Sequence, residues 1–230
     1  MSAGPVIVGV AGGSGSGKST IARMIVGLLL PSSGRVLIDG HNLHNTKLSY
    51  QEHRRIRRRI QMVFQSPYAS LNPRWKVGNI LAEPIIAFSL FKNRNDLNHR
   101  IYELLEQVGL SANDSNRFPH EFSGGQRQRI CIARALASKP EFIVCDEPTS
   151  ALDVSVQAQV LNLLKKLQKK LGLTYLFISH DLAVVRVMAH KIGVIKSGKL
   201  VEEQETSDLL KSPKSSYTSM LIQSAPRISK

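Results

Sequence analysis

At 230 residues, 42% of them hydrophobic, the chain can form one large domain or a core with an inserted lobe. No stretch approaches the roughly 20 apolar residues that span a bilayer, and no basic segment precedes an apolar core at the start, so the expectation is a cytoplasmic globular protein without a secretory signal. The net charge of +14 is unevenly spread, and the two cysteines, Cys131 and Cys145, lie in apolar runs that read as buried structural thiols rather than a disulfide or metal pair.

Val6 to Val10 is a short apolar, β-branched run, suited to a strand buried on both faces of a parallel sheet. It leads into Gly12-Gly13-Ser14-Gly15-Ser16-Gly17-Lys18-Ser19-Thr20. A glycine loop that opens a helix offers backbone N–H groups at the positive end of the helix dipole, which suits a polyphosphate. The pattern G-x-x-x-x-G-K-[ST] assigns Lys18 to the β- and γ-phosphates and the Ser19 hydroxyl to Mg²⁺, so ATP and Mg²⁺ are the expected ligands. Ile21, Ile25, Leu28 and Leu29 then recur on one helical face, predicting a helix that runs until Pro31. A turn at Ser32-Ser33-Gly34 precedes a strand over Arg35 to Ile38 and a second turn at Asp39-Gly40.

His41, His44 and His53 lie in a polar, turn-rich stretch without a paired acid or cysteine framework, and no metal site is read there. Five arginines fall within Arg54 to Arg59 without interleaved aromatics, so a nucleic-acid partner is not expected. Gln65 follows the apolar Met62-Val63-Phe64 run. From 77 to 138 helical periodicity replaces strand patterns, and an inserted helical lobe is predicted. There Ile101, Leu104, Leu105 and Val108 form one face before Gly109. Ser123-Gly124-Gly125-Gln126 opens a further helix to Ala137, whose N-terminal N–H groups make a second anion site.

Phe142 to Cys145 is an apolar strand ending in Asp146-Glu147. An acid there can hold Mg²⁺ through water, a role that falls to Asp146, while Glu147 polarises the attacking water. Asp153 to Leu171 is a long amphipathic helix on which Lys165, Lys166, Lys169 and Lys170 alternate with leucines as a solvated face. Thr174 to Ile178 is a buried strand ending at Ser179-His180, and Ile192 to Val201 reads as a hairpin around Gly198. Polar motifs thus sit at the carboxyl ends of apolar strands, where open parallel sheets place their ligands.

Taken together, these residues resemble the ATP-binding-cassette family: Gly12, Gly17, Lys18 and Ser19 as Walker A, Gln65 as the Q-loop, Phe122 to Gln126 as the signature, Asp146-Glu147 as Walker B, Ser150 to Asp153 as the D-loop, and His180 as the switch. The resemblance implies an α/β P-loop NTPase fold, a mainly parallel sheet core over 1–76 and 139–205 with a helical subdomain at 77–138 and a C-terminal extension at 206–230. It implies catalytic roles for Glu147, His180 and Gln65, with Gln65 also serving the metal beside Ser19 and Asp146. It further implies a head-to-tail dimer, homo- or heteromeric, in which Ser123, Gly124, Gly125 and Gln126 meet the nucleotide of the other subunit and Asp153 lies at the junction. The implied activity is ATP hydrolysis that energises a membrane importer at the cytoplasmic face of the cell membrane, with integral permease subunits and, indirectly, an extracytoplasmic solute-binding protein as partners.

Arg57 to Gln65, Ser70 to Arg74, Asp153 to Gln159 and Pro213 to Thr218 are similar to the oligopeptide and dipeptide importer branch, whose permease would dock near Gln65 to Leu81. Family members usually begin a few dozen residues earlier, with antiparallel strands and an aromatic for adenine. This chain has no aromatic before Lys18, which predicts nucleotide binding weaker by about 0.5–1.5 kcal/mol and an unpaired sheet edge. A soluble P-loop kinase, a non-transport cassette acting on nucleic acid, and a degenerate cassette stay open as alternatives.

Overall fold

The continuous apolar runs of the strands predict a sheet covered on both sides, and the computed structural model, which describes residues 5–13, 15–45 and 48–224, has that arrangement. In chain order the elements are β1 (Ile7–Ala11), α1 (Lys18–Ile25), β2 (Leu37–Ile38), β3 (His41–Asn42), α2 (Tyr50–Arg59), β4 (Ile60–Val63), α3 (Pro67–Ser70), α4 (Val77–Ala87) and α5 (Arg94–Gln107). After short 3₁₀ turns at Ala112–Asn116 and Pro119–Glu121 come α6 (Gly124–Leu136), β5 (Phe142–Asp146), α7 (Val154–Leu171), β6 (Thr174–Ile178) and α8 (Leu182–Met188). The chain then forms β7 (Lys191–Lys196), β8 (Lys199–Glu205), α9 (Thr206–Lys211) and α10 (Ser216–Ser224).

Six strands form one sheet in the order β4-β5-β6-β1-β7-β8, parallel throughout except for the β7–β8 hairpin. Successive residues point to opposite faces. Ile143, Cys145, Tyr175 and Phe177 therefore join the large core with helices α4 to α8, while Val144 and Ile178 pack with Met62 and Ala22 under α1. The two thiols are free and buried, with burial pushing Cys131 up to about 11 and Cys145 up to about 12. Between Val63 and Phe142 no strand forms among the described residues. Ile80, Leu81, Ile85, Leu104, Leu105 and Ile130 fill the interior of that helical segment. No helix of the described residues is long and apolar enough to cross a membrane.

Two local expectations are corrected. The first helix ends at Ile25, not Pro31, because Gly27 adopts a left-handed conformation, φ 77°. The Gly27 N–H bonds to the Met24 carbonyl and the Leu28 N–H to that of Arg23, a Schellman termination that leaves Leu28 58% exposed. The strand expected over Arg35 to Ile38 is only Leu37–Ile38, paired with β3 and separate from the main sheet. On α7 the buried stripe is Val160, Leu161, Leu164, Leu167 and Gln168, whereas Leu171 is exposed.

The arginine block lies on α2, whose start is closed by a Ser49–Glu52 capping box and whose basic last turn suits the dipole. Arg54 donates to the Ala87 carbonyl, and Arg59 pairs with Asp39 and Glu141, so two of the five arginines tie segments together. Near the C-terminus buried Glu202 accepts N–H bonds from Lys214 at 2.7 Å and Ser215 at 3.0 Å. Burial raises this carboxyl, but those bonds prevail and hold it down at about 2, against an ordinary 4.5.

Two outcomes follow from this packing. A thiol reagent should label neither cysteine in the native protein and both in denaturant, as read by absorbance. Because the Glu202 pKa is depressed on folding, its stabilisation is present above about pH 4.5 and fades as pH falls toward about 2. Chemical denaturation across that range should show Glu202→Gln less stable at pH 7, by about 1–3 kcal/mol, with the difference shrinking in acid.

Candidate functional site

β1 runs straight into the glycine loop, and α1 begins at Lys18 behind Gly17, which caps it in a left-handed conformation. The first N–H groups of a helix have no intrahelical partner, so those of Lys18, Ser19 and Thr20 stand at the loop's helical end. Ser14 lies outside the described residues. The Lys18 ammonium is buried and folded onto its own loop, donating to the carbonyls of Gly12 at 2.7 Å and Gly13 at 2.8 Å and to Ser16 Oγ at 3.0 Å. Burial lowers its pKa, with Glu147 and Asp146 opposing that effect.

Strand order brings the other candidates to the same edge. Gln65 follows β4, Asp146-Glu147 closes β5, His180 follows β6 and the glycine loop follows β1, all at carboxyl ends of neighbouring parallel strands. Asp146, only 4% exposed, accepts a hydrogen bond from Ser19 Oγ at 3.0 Å, and burial raises its pKa despite that bond. Glu147 turns out of β5 with φ 47°, a costly conformation outside glycine. One of its carboxylate oxygens lies 3.0 Å from His180 Nδ1, and the other accepts from Gln65 Nε2 at 3.2 Å. Gln65, Glu147 and His180 therefore form one hydrogen-bonded group beside the loop.

Ser123 to Gln126 opens α6 as a capping box. Ser123 Oγ accepts from the Gln126 N–H at 3.3 Å, and the Gln126 side chain accepts from the Ser123 N–H at 2.9 Å. No hydrogen bond among the described residues joins this turn to the glycine loop of the same chain. Ser123 is exposed, while Gly125 is buried against α7, where an added Cβ would stand 2.3 Å from Val156 Cγ1. Asp153 precedes α7 with no side-chain capping bond, and it and neighbouring Val154 are exposed. His44 and His53 each face a backbone carbonyl, of Met24 and Asn45, and no cluster of three or more potential metal ligands occurs among the described residues.

Sequence reasoning missed Tyr217. Its hydroxyl accepts a hydrogen bond from the Gly13 N–H at 2.9 Å, and its ring sits under Lys196 Nζ at 4.9 Å from the centroid. No periodicity or spacing announces it, because the contact joins residues 204 positions apart.

With that geometry in view, the profile described as ABC transporter matches residues 3–150, well over half of the chain. The chain belongs to the ABC transporter family. Among its relatives are the oligopeptide transport ATP-binding protein OppF of Bacillus subtilis, 52% identical over 95% of this chain and 72% of that protein, and AmiF of Streptococcus pneumoniae, 52% identical over 94% and 70%. Among solved structures, cbiO1 of Clostridium perfringens, part of the ABC transporter complex cbiONQ, superposes with a TM-score of 0.78 at 27% identity, covering 90% of this chain and 80% of that one. A dimeric ATP-binding cassette in a post-hydrolysis state, bound to ADP and Pi, gives 0.75 at 34% identity, with 87% and 85% covered. The mainly parallel sheet with its helical segment is thus the ABC ATPase fold.

The close approach of Gly125 to Val156 makes a specific outcome testable. Gly125→Ala should destabilise the protein by about 1–3 kcal/mol through overpacking, and Val156→Ala on top should recover part of that loss in urea denaturation.

Proposed function

We propose that this ABC family member binds and hydrolyses ATP to energise a membrane importer of oligopeptides. The observation that carries the catalytic part is the convergence on Glu147: His180 and Gln65 hold its two oxygens while Asp146 and Ser19 meet beside it. In this reading the loop from Gly12 to Thr20 binds the phosphates. Lys18 exchanges its carbonyl partners for β- and γ-phosphate oxygens, which relieves an ammonium now desolvated among neutral acceptors. The Ser19 hydroxyl and Asp146 carboxylate are hard oxygen donors, and a pair rather than a cage suits Mg²⁺, which keeps waters and phosphate oxygens as its other ligands. When bound, the cation neutralises charge on the β- and γ-oxygens.

Glu147 then orients the attacking water and receives its proton as the oxygen bonds to the γ-phosphorus and the bond to the bridging oxygen breaks. Gln65 and His180 keep that carboxylate in place. Ser123, Gly124, Gly125 and Gln126 serve the nucleotide of a second cassette, since α6 presents its positive end outward and Asp153 and Val154 are exposed as an interface would require. Permease subunits dock around Gln65 to Leu81, the stretch that leads from β4 into the helical subdomain, 77–138, and that carries the exposed aromatics Tyr68 and Trp75. The subunit thereby sits at the cytoplasmic face of the membrane, and a solute-binding protein acts through the permease alone. The peptide assignment rests on relatives about 52% identical that are named for oligopeptide transport.

Lys18→Ala should abolish binding of a fluorescent ATP analogue. Glu147→Gln should retain binding and lose turnover about 10²- to 10⁴-fold in a phosphate-release assay. Cells lacking the chain should fail to take up a labelled oligopeptide, and unchanged uptake would remove the transport assignment.

A further inference from the structure

We propose that Tyr217 is a positioning residue for nucleotide binding, a side chain of α10 whose hydroxyl fixes the first peptide of the glycine loop and so ties the C-terminal segment to ATP affinity. This rests on the phosphate-site reading above. The peptide unit between Gly12 and Gly13 is held at both ends. Its carbonyl oxygen accepts from Lys18 Nζ at 2.7 Å, and its N–H donates to Tyr217 Oη at 2.9 Å. A peptide group is planar, so fixing the N–H fixes the direction of the carbonyl on which Lys18 rests. Tyr217 thereby sets where the phosphate-binding lysine lies before nucleotide arrives.

Tyr217 is itself held. Its ring packs against the main core and lies under the Lys196 ammonium, and its backbone N–H donates to Ser215 Oγ at 3.3 Å. The approach to α10 is anchored by the Glu202 carboxylate through the N–H groups of Lys214 and Ser215. The same half of the chain reaches the crest of the loop as well, since the Gly198 N–H in the β7–β8 turn donates to the Ser16 carbonyl at 3.0 Å. Residues after β7 thus brace the glycine loop at two points, although the loop's own sequence contains every group assigned to phosphate. A preformed loop binds without first being ordered, and loosening it costs affinity rather than chemistry.

The test uses the full chain and the fluorescent analogue mant-ATP with Mg²⁺. Tyr217→Phe keeps the ring and its Lys196 contact and removes only the hydroxyl. We expect Kd to rise about 3- to 10-fold, the worth of one hydrogen bond, with KM for ATP rising in parallel and kcat within about twofold of wild type. Glu202→Gln, which weakens the anchor of α10, should move Kd in the same direction. Combining the two should cost less than the product of their separate effects, because both act through one contact. Unchanged or tighter binding in Tyr217→Phe overturns the proposal, as does a fall in kcat with Kd unaltered. Lys18→Ala separates the two readings. If it leaves mant-ATP binding intact, the phosphate site is misassigned; if it abolishes binding while Tyr217→Phe changes nothing, only the role of Tyr217 fails.

Discussion

Parallel pairing of β4, β5, β6 and β1 is the constraint on which the rest of this molecule depends. Parallel neighbours point their carboxyl ends the same way, so whatever follows each strand emerges along one edge of the sheet. The register places Cys145 opposite Val63, Asp146 opposite Ile178 and Val10 opposite Ile178. Gln65, Glu147, His180 and the glycine loop become neighbours as a result, though they span 168 residues between Gly12 and His180. The pairing is secured by burial on both faces: the large core holds Cys145 and Phe177, the smaller one Val144 and Ile178.

The edge so assembled is under electrostatic tension. Lys18 has left water for carbonyl and hydroxyl oxygens, and its ammonium is lowered by burial. Asp146 has left water for a single hydroxyl, and its carboxyl is raised by burial. For each group burial favours the uncharged form and outweighs the opposite charges nearby, Glu147 and Asp146 for Lys18, Arg23 and Lys18 for Asp146. In the function proposed, a polyphosphate with its cation supplies the charge that completes this compensation. Glu147 differs: its two oxygens are occupied by Gln65 and His180, at the cost of a strained backbone.

The helical segment imposes a second constraint through contact distance. α6 approaches α7 so closely at Gly125 that no side chain fits against Val156. Ser123 and Gln126 close the turn on each other, which satisfies two N–H groups at the start of α6. A glycine pair chosen for a ligand and a glycine required by packing are indistinguishable in sequence, and here Gly125 is at least the latter. The large positive charge is likewise partly structural, since Arg54 and Arg59 bind segments distant in sequence.

Short-range patterns determined the strands at Val6, Phe142 and Thr174, the helix after Ser123 and the glycine loop, because burial on two faces, capping chemistry and φ preference act within a few residues. They misjudged the end of α1, where Gly27 competed with an apolar stripe and won through its left-handed conformation. They placed Gln65 and His180 at strand ends but could not make them partners of Glu147, since adjacency of β4, β5 and β6 is a property of strand order. Tyr217 was out of reach altogether. Its contact with Gly13 depends on the hairpin after β7, on the buried Glu202 that anchors α10, and on the packing of that helix against the core. The sequence by itself determined the glycine loop, the acidic strand end and the capped helix start at Ser123, because those features are carried by local motifs. Only the tertiary structure decided which groups hold one another, because side chains far apart in sequence meet only when the sheet and its covering helices are built.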